Sequence, residues 1–266
     1  MSETIKNEES KSELTILIPV RDEGINLRIM IRVLAAVISR RYEIIVIYDN
    51  PDDTSVPYIR EAETETPTIV RSVLNENSNG DGVASAIERG VALARSERVL
   101  IFLADDLGPV MSVDDMAVLM DEGCDFVSCT RYAHGGTRLG GSQIGKVLSF
   151  TANRTLWLFS GAALSDMTTG LKMFNKVDFP KLFQNNKSTG WSFAFDMAVN
   201  AQVLCLKLGE VPIVSIDRLY GGKSSMRLIP WIVAYSRFFI KAFCRFGLRP
   251  FVRKPTVARR IPKTMK

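Results

Sequence analysis

The sequence is poor in the residues that build redox and zinc centres. It has one histidine, His134, and four cysteines that form no Cys-x-x-Cys pair. A single histidine excludes any catalytic triad or zinc cluster that needs more than one, and the cysteine spacing excludes the common zinc and thiol-redox motifs. Cysteines used in this way are typical of a reduced, cytosolic protein.

An apolar core of the kind found in signal peptides is absent from residues 1–12, which are polar and charged. We expect this stretch to be disordered. The chain has 266 residues, 46% of them hydrophobic, which suffices for one large α/β domain or two small ones. The patterns below predict a domain over 13–226 and a basic tail over 227–266.

Acidic residues are also absent from Arg218 onward, although 13 of the 34 Lys and Arg residues lie there. The preceding part of the chain therefore carries the other 21 basic residues against all 29 acidic ones, a net charge of −8. Such an asymmetry predicts a polyanionic partner at one end only. Nucleic acid and an anionic membrane surface are the two candidates.

Apolar runs alternate with helical periodicity five times in the first half of the chain. This alternation predicts a mostly parallel sheet covered by helices on both faces. The second half is less regular. The predicted strands are 13–20, 42–48, 68–74, 99–103, 124–130, 171–174 and 209–216, and the predicted helices are 27–39, 56–62, 84–95, 113–122, 146–159 and 191–206.

Two adjacent carboxylates, Asp105 and Asp106, come directly after the apolar run 99–103. Carboxylates at the carboxyl end of a buried strand lie where open α/β sheets bind their ligands. Two oxygen donors suit Mg²⁺ or Mn²⁺, with the remaining positions left for phosphates and water. The alternative is that the two residues merely cap the helix that starts near Val113.

Several loops are rich in glycine. Gly80 and Gly82 begin a pattern that loosely resembles the dinucleotide fingerprint, but Ser85 replaces the third glycine and no tight turn leads in from the first strand. We interpret this loop as a diphosphate contact or as a flexible connection. The loops 131–142 and 217–225 combine glycines with basic residues, which favours closure over an anion.

Six short motifs, taken in order, resemble family 2 glycosyltransferases, specifically the branch around dolichyl-phosphate mannosyltransferase. They read I-P-x-R-D-E, E-I-I-V-I-Y-D-N-P-D-D-T, A-D-D-L, T-R-Y-A-H-G-G, D-M-T-T-G-L-K-M-F and R-x-x-G-G-K-S-S, and they span about Leu14 to Met226. The resemblance implies a Rossmann-like GT-A fold and an inverting transfer from a nucleotide-diphospho-sugar, either GDP-mannose or a UDP-hexose. The Q-x-x-R-W signature of processive synthases is absent, which favours transfer of a single sugar.

The resemblance also implies roles for individual residues. The nucleotide contacts that it implies are Pro19, Arg21, Glu23 and Asp49, the catalytic residues are Asp106, Arg131, Asp166 and Arg218, and an acceptor contact is Thr169. We further expect Asp105 to contact the nucleotide and Lys146, Ser149 and Lys223 to contact the acceptor. Asp106, together with Asp105, is expected to hold the divalent cation. The chain departs from the family here, since it has Ala104-Asp105-Asp106 where the family usually has D-A-D.

The acceptor decides whether the reaction needs a base. A sugar hydroxyl must lose its proton to a positioned carboxylate, and Asp166 and Asp196 are the base candidates in the second half. A lipid phosphate is already an anion and fits the basic loops better. We therefore expect a polyprenyl- or dolichyl-phosphate acceptor. The alternatives are a sugar hydroxyl in surface-polysaccharide synthesis and a nucleotide-binding homologue with impaired catalysis.

Residues 231–251 are predicted to form a helix rich in aromatic and basic side chains. The cationic stripe consists of Arg237, Lys241, Arg245 and Arg249, and the aromatic face of Phe238, Phe239, Phe243 and Phe246. Four charges exclude an ordinary membrane span, whereas this arrangement is typical of a helix in the lipid headgroup region. The alternative is a helix docked on the protein. Aromatics on a helix argue against nucleic acid, so we expect a cytoplasmic protein bound peripherally to the inner face of a membrane.

Overall fold

The computed structural model describes residues 12–66, 68–76, 82–184, 190–216, 228–247 and 254–265. The strands are β1 (Leu14–Val20), β2 (Tyr42–Tyr48), β3 (Ile69–Leu74), β4 (Arg98–Ile101), β5 (Phe126–Thr130), β6 (Thr137–Leu139), β7 (Lys172–Asn175), β8 (Leu208–Pro212), β9 (Val214–Ile216) and β10 (Val257–Arg259). The helices are α1 (Ile25–Val37), α2 (Val56–Glu65), α3 (Gly82–Leu93), α4 (Val113–Asp121), α5 (Gln143–Phe159), α6 (Phe179–Leu182), α7 (Ser192–Val203) and α8 (Leu228–Phe246).

Eight strands form the central sheet, in the order β10-β8-β5-β7-β4-β1-β2-β3. All neighbouring pairs are parallel except those of β7, which runs antiparallel to both β4 and β5. A second, two-stranded sheet pairs β6 with β9. The predicted, mostly parallel sheet is therefore confirmed, and the insertion of one reversed strand was not predicted.

The central strands are apolar throughout because both faces of the sheet are covered. In β1, Ile16 and Ile18 pack into one hydrophobic cluster with α1, α2 and α4, and Leu17 packs into the other with α3 and α7. The close packing of α3 depends on Gly90, where an added Cβ atom would lie only 3.0 Å from side-chain atoms of Leu17 and Ile47. The apolar runs thus specify a hydrophobic core on each face of the sheet.

The predicted strand 209–216 is two strands, because the chain breaks at Ile213. The amide of Ile213 donates to the carbonyl of Thr130 (2.9 Å), and its carbonyl accepts from the amide of Thr137 (2.9 Å). Before this point the chain pairs with β5 as β8, and after it with β6 as β9. The single predicted strand is corrected accordingly, and β9 is carried to the carboxyl edge of the main sheet.

The carboxyl-terminal segment is part of the domain where it is described. β10 pairs with β8 and extends the sheet. Ala242 and Phe246 of α8 are buried in the cluster that contains α7. The described parts of this segment therefore pack against the domain, and the boundary at 226 stays a prediction.

The inward face of α8 corrects the predicted lipid-facing surface. Lys241 Nζ lies 3.0 Å from Asp196 Oδ1, and Arg245 donates to the side chain of Asn200. Phe246 is buried in the core. The other three aromatic residues, Phe238, Phe239 and Phe243, are half-buried against it. The docked alternative therefore describes this helix, because α7 supplies both apolar contacts and polar partners. Arg249 lies outside the described residues.

Among the described residues, no helix combines the length and the apolar character that are needed to cross a membrane.

Candidate active site

The loops after β1 and β2 are fixed to each other at the carboxyl edge of the sheet. The amide of Asp22 donates to Asp53 Oδ2 (2.9 Å), and the amide of Glu23 donates to Ser55 Oγ (3.1 Å). Asp53 is buried and also accepts from the amide of Ser55 (2.8 Å). Arg21, at the start of the loop after β1, is exposed.

Glu23 and Pro19, two of the predicted nucleotide contacts, have defined surroundings in this part of the chain. Glu23 accepts a hydrogen bond from Asn26 Nδ2 (3.2 Å), and Pro19 lies half-buried within β1. Asp53 and Ser55 were not predicted as site residues. The only signal for them in the sequence is the polar turn after the second apolar run, which does not reveal which loop the turn contacts.

Asp49, at the end of β2, is held in place from β3 and α3. Its Oδ1 accepts from Asn75 Nδ2 (3.0 Å), and the same amide lies 3.2 Å from Ser85 Oγ. Asn75 is buried, and Asp49 is half-exposed. A carboxylate that is oriented in this way can accept hydrogen bonds from a bound base or ribose.

Asp106 joins the turn after β4 to β9. It is 4% exposed, and its Oδ2 and Oδ1 accept from Ser215 Oγ (2.6 Å) and from the amide of Ile216 (2.8 Å). Gly108 makes this approach possible, since an added Cβ atom would lie 1.6 Å from the carbonyl oxygen of Val214. The capping alternative is wrong for Asp106, because Ser112 has the N-cap position of α4.

The two carboxylates of this turn fit a divalent cation that is completed by substrate. Asp106 is held by β9 through both of its oxygens, and Asp105 is half-buried beside it, so the turn brings two carboxylates together. Mg²⁺ is commonly bound by one or two carboxylates together with substrate phosphates. Within the described ranges, no group of three or more acidic, histidine or cysteine side chains forms a metal cage.

A two-point ion pair joins Arg131, which directly follows β5, to Asp166. Arg131 Nε and Nη2 lie 2.7 and 3.0 Å from Asp166 Oδ2 and Oδ1, and the Arg131 amide donates to Oδ2 (3.2 Å). Asp166 is fully buried. The predicted catalytic residues Arg131 and Asp166 are thus in contact, and Asp166 orients the guanidinium.

The inner face of α5 completes a polar cluster around this ion pair. Ser149 Oγ lies 2.7 Å from Thr168 Oγ1 and accepts from Tyr132 Oη (2.9 Å). Thr168 Oγ1 in turn accepts from Arg131 Nη2 (2.9 Å) and from Asn153 Nδ2 (3.0 Å). Ser149 was expected from the sequence to contact the acceptor, whereas Tyr132, Asn153 and Thr168 were not singled out.

The charges of the cluster keep Asp166 ionised. Burial alone would raise the pKa of Asp166, but the charge and hydrogen bonds of Arg131 and the charge of Lys172 lower it below its usual value. Lys172, on β7, is also fully buried, and this burial lowers its pKa to about 8 against the attraction of Asp166. Both oxygens of Asp166 already accept hydrogen bonds, so its geometry is that of an anchor and not that of a general base.

Other predicted residues lie apart from this cluster. Thr169 is buried and accepts from the amide of Leu171 (3.3 Å), so it shapes the turn before β7. Lys146 Nζ donates to the carbonyl of Arg138 (3.3 Å) on β6. Asp196 pairs with α8. Arg218 and Lys223 lie outside the described residues.

The outer face of α5 is apolar and exposed. Its exposed large side chains are Ile144, Val147, Leu148, Phe150, Leu158 and Phe159. A surface helix usually turns its apolar stripe toward the core, so several large apolar side chains exposed on one helix mark an interaction surface. Polar contacts to Asp166 and Thr168 on one side and exposed apolar side chains on the other therefore belong to a single helix.

Comparison with known proteins places these observations in a family. Residues 15–183 match the profile of glycosyl transferase family 2. An undecaprenyl-phosphate 4-deoxy-4-formamido-L-arabinose transferase of Klebsiella pneumoniae subsp. pneumoniae is 25% identical over 223 residues, 82% of this chain and 64% of the relative. A dolichol-phosphate mannosyltransferase of Mycosarcoma maydis is 25% identical over 255 residues, 91% of this chain and 83% of the relative. The chain thus spans less than two thirds of the length of the Klebsiella relative.

Solved structures share the architecture at low sequence identity. Glucosyl-3-phosphoglycerate synthase of Mycobacterium tuberculosis with phosphoglyceric acid aligns at a TM-score of 0.61 and 16% identity, covering 96% of this chain and 92% of that one. The same enzyme with Mn²⁺, UDP and phosphoglyceric acid aligns at 0.58 and 16%, covering 90% and 80%. With Mg²⁺ and UDP the values are 0.59 and 15%, covering 93% and 84%. These likenesses show the fold, and the predicted GT-A architecture is confirmed.

Proposed function

Because the chain belongs to glycosyl transferase family 2, we propose that it transfers a single sugar from a nucleotide-diphospho-sugar to a polyprenyl-phosphate-type acceptor. The donor is GDP-mannose or a UDP-hexose. The loop 19–23 and Asp49 contact the nucleoside, since they lie at the carboxyl ends of β1 and β2. The fixed orientation of Asp49 by Asn75 supports this assignment.

Asp106, with Asp105, would hold Mg²⁺ or Mn²⁺ against the donor diphosphate. A bound divalent cation offsets the negative charge that develops on the leaving diphosphate. The tie between Asp106 and β9 fixes the carboxylate before substrate arrives, which lowers the reorganisation that binding requires. The structural relatives solved with Mn²⁺ or Mg²⁺ support a divalent cation for this fold.

One observation carries the choice of acceptor: α5 joins an ion-pair cluster on its inner face to exposed apolar surface on its outer face. A lipid phosphate has both chemistries, and the two faces of one helix are separated by about 10 Å. The phosphate group would lie at Arg131, which offers charge-assisted hydrogen bonds. The polyprenyl chain would leave along the apolar face.

The chemistry needs no general base with this acceptor. An oxygen of the acceptor phosphate attacks the anomeric carbon, the bond from that carbon to the donor diphosphate breaks, and the nucleoside diphosphate leaves with the bonding electrons. Asp166 supports this route because its oxygens are engaged by Arg131 and Thr168, which leaves it poorly placed to deprotonate a sugar hydroxyl. Arg218 is proposed as a second phosphate contact on the strength of the motif alone.

Membrane association follows from the same proposal. The apolar outer face of α5 is the surface that we assign to the lipid boundary, and the basic residues after Arg218 add attraction to anionic headgroups. The described part of α8 adds Ile240, which is 62% exposed. We propose a peripheral protein on an anionic, cytoplasmic membrane face.

A transfer assay tests the proposal. The full chain is incubated with Mn²⁺, undecaprenyl or dolichyl phosphate, and each of several GDP- and UDP-sugars, and lipid-linked sugar and released nucleoside diphosphate are measured together. We expect equal amounts of both products with one donor. Nucleotide binding without turnover on any acceptor would contradict the proposal and favour the impaired homologue, and transfer to sugar hydroxyls alone would contradict the acceptor assignment.

A further inference from the structure

Three polar residues form a row across the middle of the sheet, close to the ion pair. Ser128 on β5 is in register with Lys172 on β7 and with Glu210 on β8, so their side chains lie on the same face. All three are buried, at 0%, 0% and 1% exposure. We call Glu210, Ser128 and Lys172 the cross-strand row.

Glu210 of the cross-strand row accepts hydrogen bonds from the turn that carries Asp166. Glu210 Oε1 accepts from the amide of Ser165 (2.7 Å), from Ser165 Oγ (2.9 Å) and from the amide of Asp166 (3.4 Å). These contacts hold the donor groups of the turn. They fix the backbone of the turn at the position from which the Asp166 side chain contacts Arg131.

The other two members of the row hold the acceptor groups of the same turn. Lys172 Nζ lies 2.7 Å from Ser128 Oγ and 3.4 Å from the carbonyl oxygen of Met167. Ser128 Oγ lies 3.3 Å from the carbonyl oxygen of Asp166. Backbone donors and acceptors of three successive residues, 165 to 167, are thus fixed from three neighbouring strands.

We propose that the cross-strand row positions Arg131 for the acceptor phosphate, acting through the turn and Asp166. The inference rests on the proposed function for the identity of that phosphate, but not for the coupling between the row and Arg131. Glu210 and Lys172 are positioning residues, since Glu210 contacts Ser165 and Asp166 of the turn and Lys172 contacts Met167 of the turn and Ser128.

The chemical cost of the row argues for such a role. Two ionisable groups and a hydroxyl occupy a sheet interior where apolar side chains of similar volume would be as stabilising or more so. One oxygen of Glu210, Oε2, is buried with no hydrogen-bond partner among the described residues. Burial raises the pKa of Glu210 despite the hydrogen bonds from Ser165. A purely structural contact does not require this arrangement.

The contacts of Glu210 predict different results for two substitutions. In Glu210→Gln the amide oxygen can still accept from Ser165, and the partnerless position of Oε2 receives the amide nitrogen. In Glu210→Ala both amides of the turn lose their acceptor. We therefore expect Glu210→Gln to preserve the orientation of Arg131 and Glu210→Ala and Lys172→Met to loosen it.

The direct measurement is hydrogen exchange of the Arg131 Nε–H by ¹⁵N NMR on the full chain, with the resonance assigned by its loss in Arg131→Lys. We expect exchange to become about tenfold faster or more in Glu210→Ala and Lys172→Met, and to stay near the wild-type rate in Glu210→Gln. Unchanged exchange in Glu210→Ala would overturn the inference, whatever the enzyme assays give.

Glu43→Ala is the matched control. Glu43 is a 1% exposed glutamate on β2 that accepts from Thr15 Oγ1 (2.7 Å) and from the amide of Arg95 (2.8 Å), at the amino end of the strands. Its loss is expected to lower stability without changing Arg131 exchange. Equal acceleration in Glu43→Ala and Glu210→Ala would show general loosening and would overturn the inference.

Kinetics supply the second readout. In Glu210→Ala we expect the KM for the lipid phosphate to rise about tenfold while the KM for the nucleotide sugar stays unchanged, with recovery in Glu210→Gln. A wild-type chain that transfers no sugar to lipid phosphate would defeat the proposed function, and the exchange data would still decide whether the row orients Arg131. An equal rise in both KM values would overturn the positioning role.

Discussion

Arg131 holds Asp166 by two parallel hydrogen bonds, with Nε 2.7 Å from Oδ2 and Nη2 3.0 Å from Oδ1, and the carboxylate has no exposed surface. Such a planar fork fixes both the position and the plane of the guanidinium. The pair therefore sets the direction from which Arg131 can meet an anion, and several expected results follow from this geometry.

Arg131→Lys is expected to separate charge from geometry. Lysine keeps the positive charge beside Asp166 but cannot form the two-point contact. We expect the KM for the lipid phosphate to rise by about tenfold or more, with a loss of stability of about 1 kcal/mol. Steady-state kinetics and urea unfolding measure the two effects. Unchanged lipid-phosphate kinetics would remove Arg131 from the acceptor site.

Asp166→Leu is expected to destabilise the fold strongly. It leaves the guanidinium of Arg131, whose side chain is 12% exposed, without its carboxylate, and breaking a buried ion pair costs about 3 to 5 kcal/mol. Asp115→Leu is the matched control, because its partner Arg260 is 37% exposed, and we expect a loss of at most about 1 kcal/mol there. Equal losses in the two variants, measured by chemical denaturation, would contradict the assigned importance of burial.

Asp106→Asn is expected to abolish most of the metal-dependent binding of nucleotide. The substitution removes one ligand charge from the proposed metal site, which would face the donor diphosphate. Asp105→Asn is expected to have the milder effect, since Asp106 is the residue tied to β9. Calorimetric titration of GDP and UDP, with and without Mn²⁺, measures both. A larger loss in Asp105→Asn would assign the cation to Asp105.

Lys172 gives stability a defined dependence on pH. Its pKa is about 8 in the folded protein, against 10.5 for a free side chain. Below the folded pKa both states carry the proton, whereas between the two values the unfolded chain holds more protons, so the contribution of Lys172 to the free energy of unfolding rises with pH. We expect the difference in the free energy of unfolding between wild type and Lys172→Met to shift by about 2.5 kcal/mol in favour of wild type from about pH 7 to about pH 10. A flat difference would contradict this.

Charges on the outer face of α5 are expected to prevent vesicle binding. Ile144 and Val147 are 60% and 62% exposed, so glutamate at both positions removes apolar area without disturbing the core. We expect sedimentation with anionic vesicles to weaken about tenfold or more. Val177→Glu is the control, because Val177 is 79% exposed outside this helix. Equal weakening by the control would show a nonspecific charge effect.

The sequence predicts the central strands well because their burial is complete. β1 and β2 lie within one residue of the predicted limits, since a strand covered on both faces is a continuous apolar run. The position of Asp105 and Asp106 after β4 follows from the same pattern. The pattern of apolar residues is sufficient to predict a strand when its neighbours in the fold do not alter its limits.

Contacts that depend on register could not be predicted. The cross-strand row exists because β7 is inserted in reverse between β4 and β5, and a single residue of slippage would turn Lys172 to the other face. The tie between Asp106 and Ser215 likewise joins residues more than one hundred positions apart. The pattern of α8 suits a lipid surface and the surface of α7 equally, so only the tertiary packing distinguishes them.

The position of β10 changes how the end of the described chain should be handled in the laboratory. This three-residue strand covers β8, and Arg260 beside it pairs with Asp115. Short edge strands with flanking charges are the means by which sheets avoid joining one another. Removing residues 227–266 would expose the backbone groups of β8 that now pair with β10, and the product would be expected to self-associate through that edge.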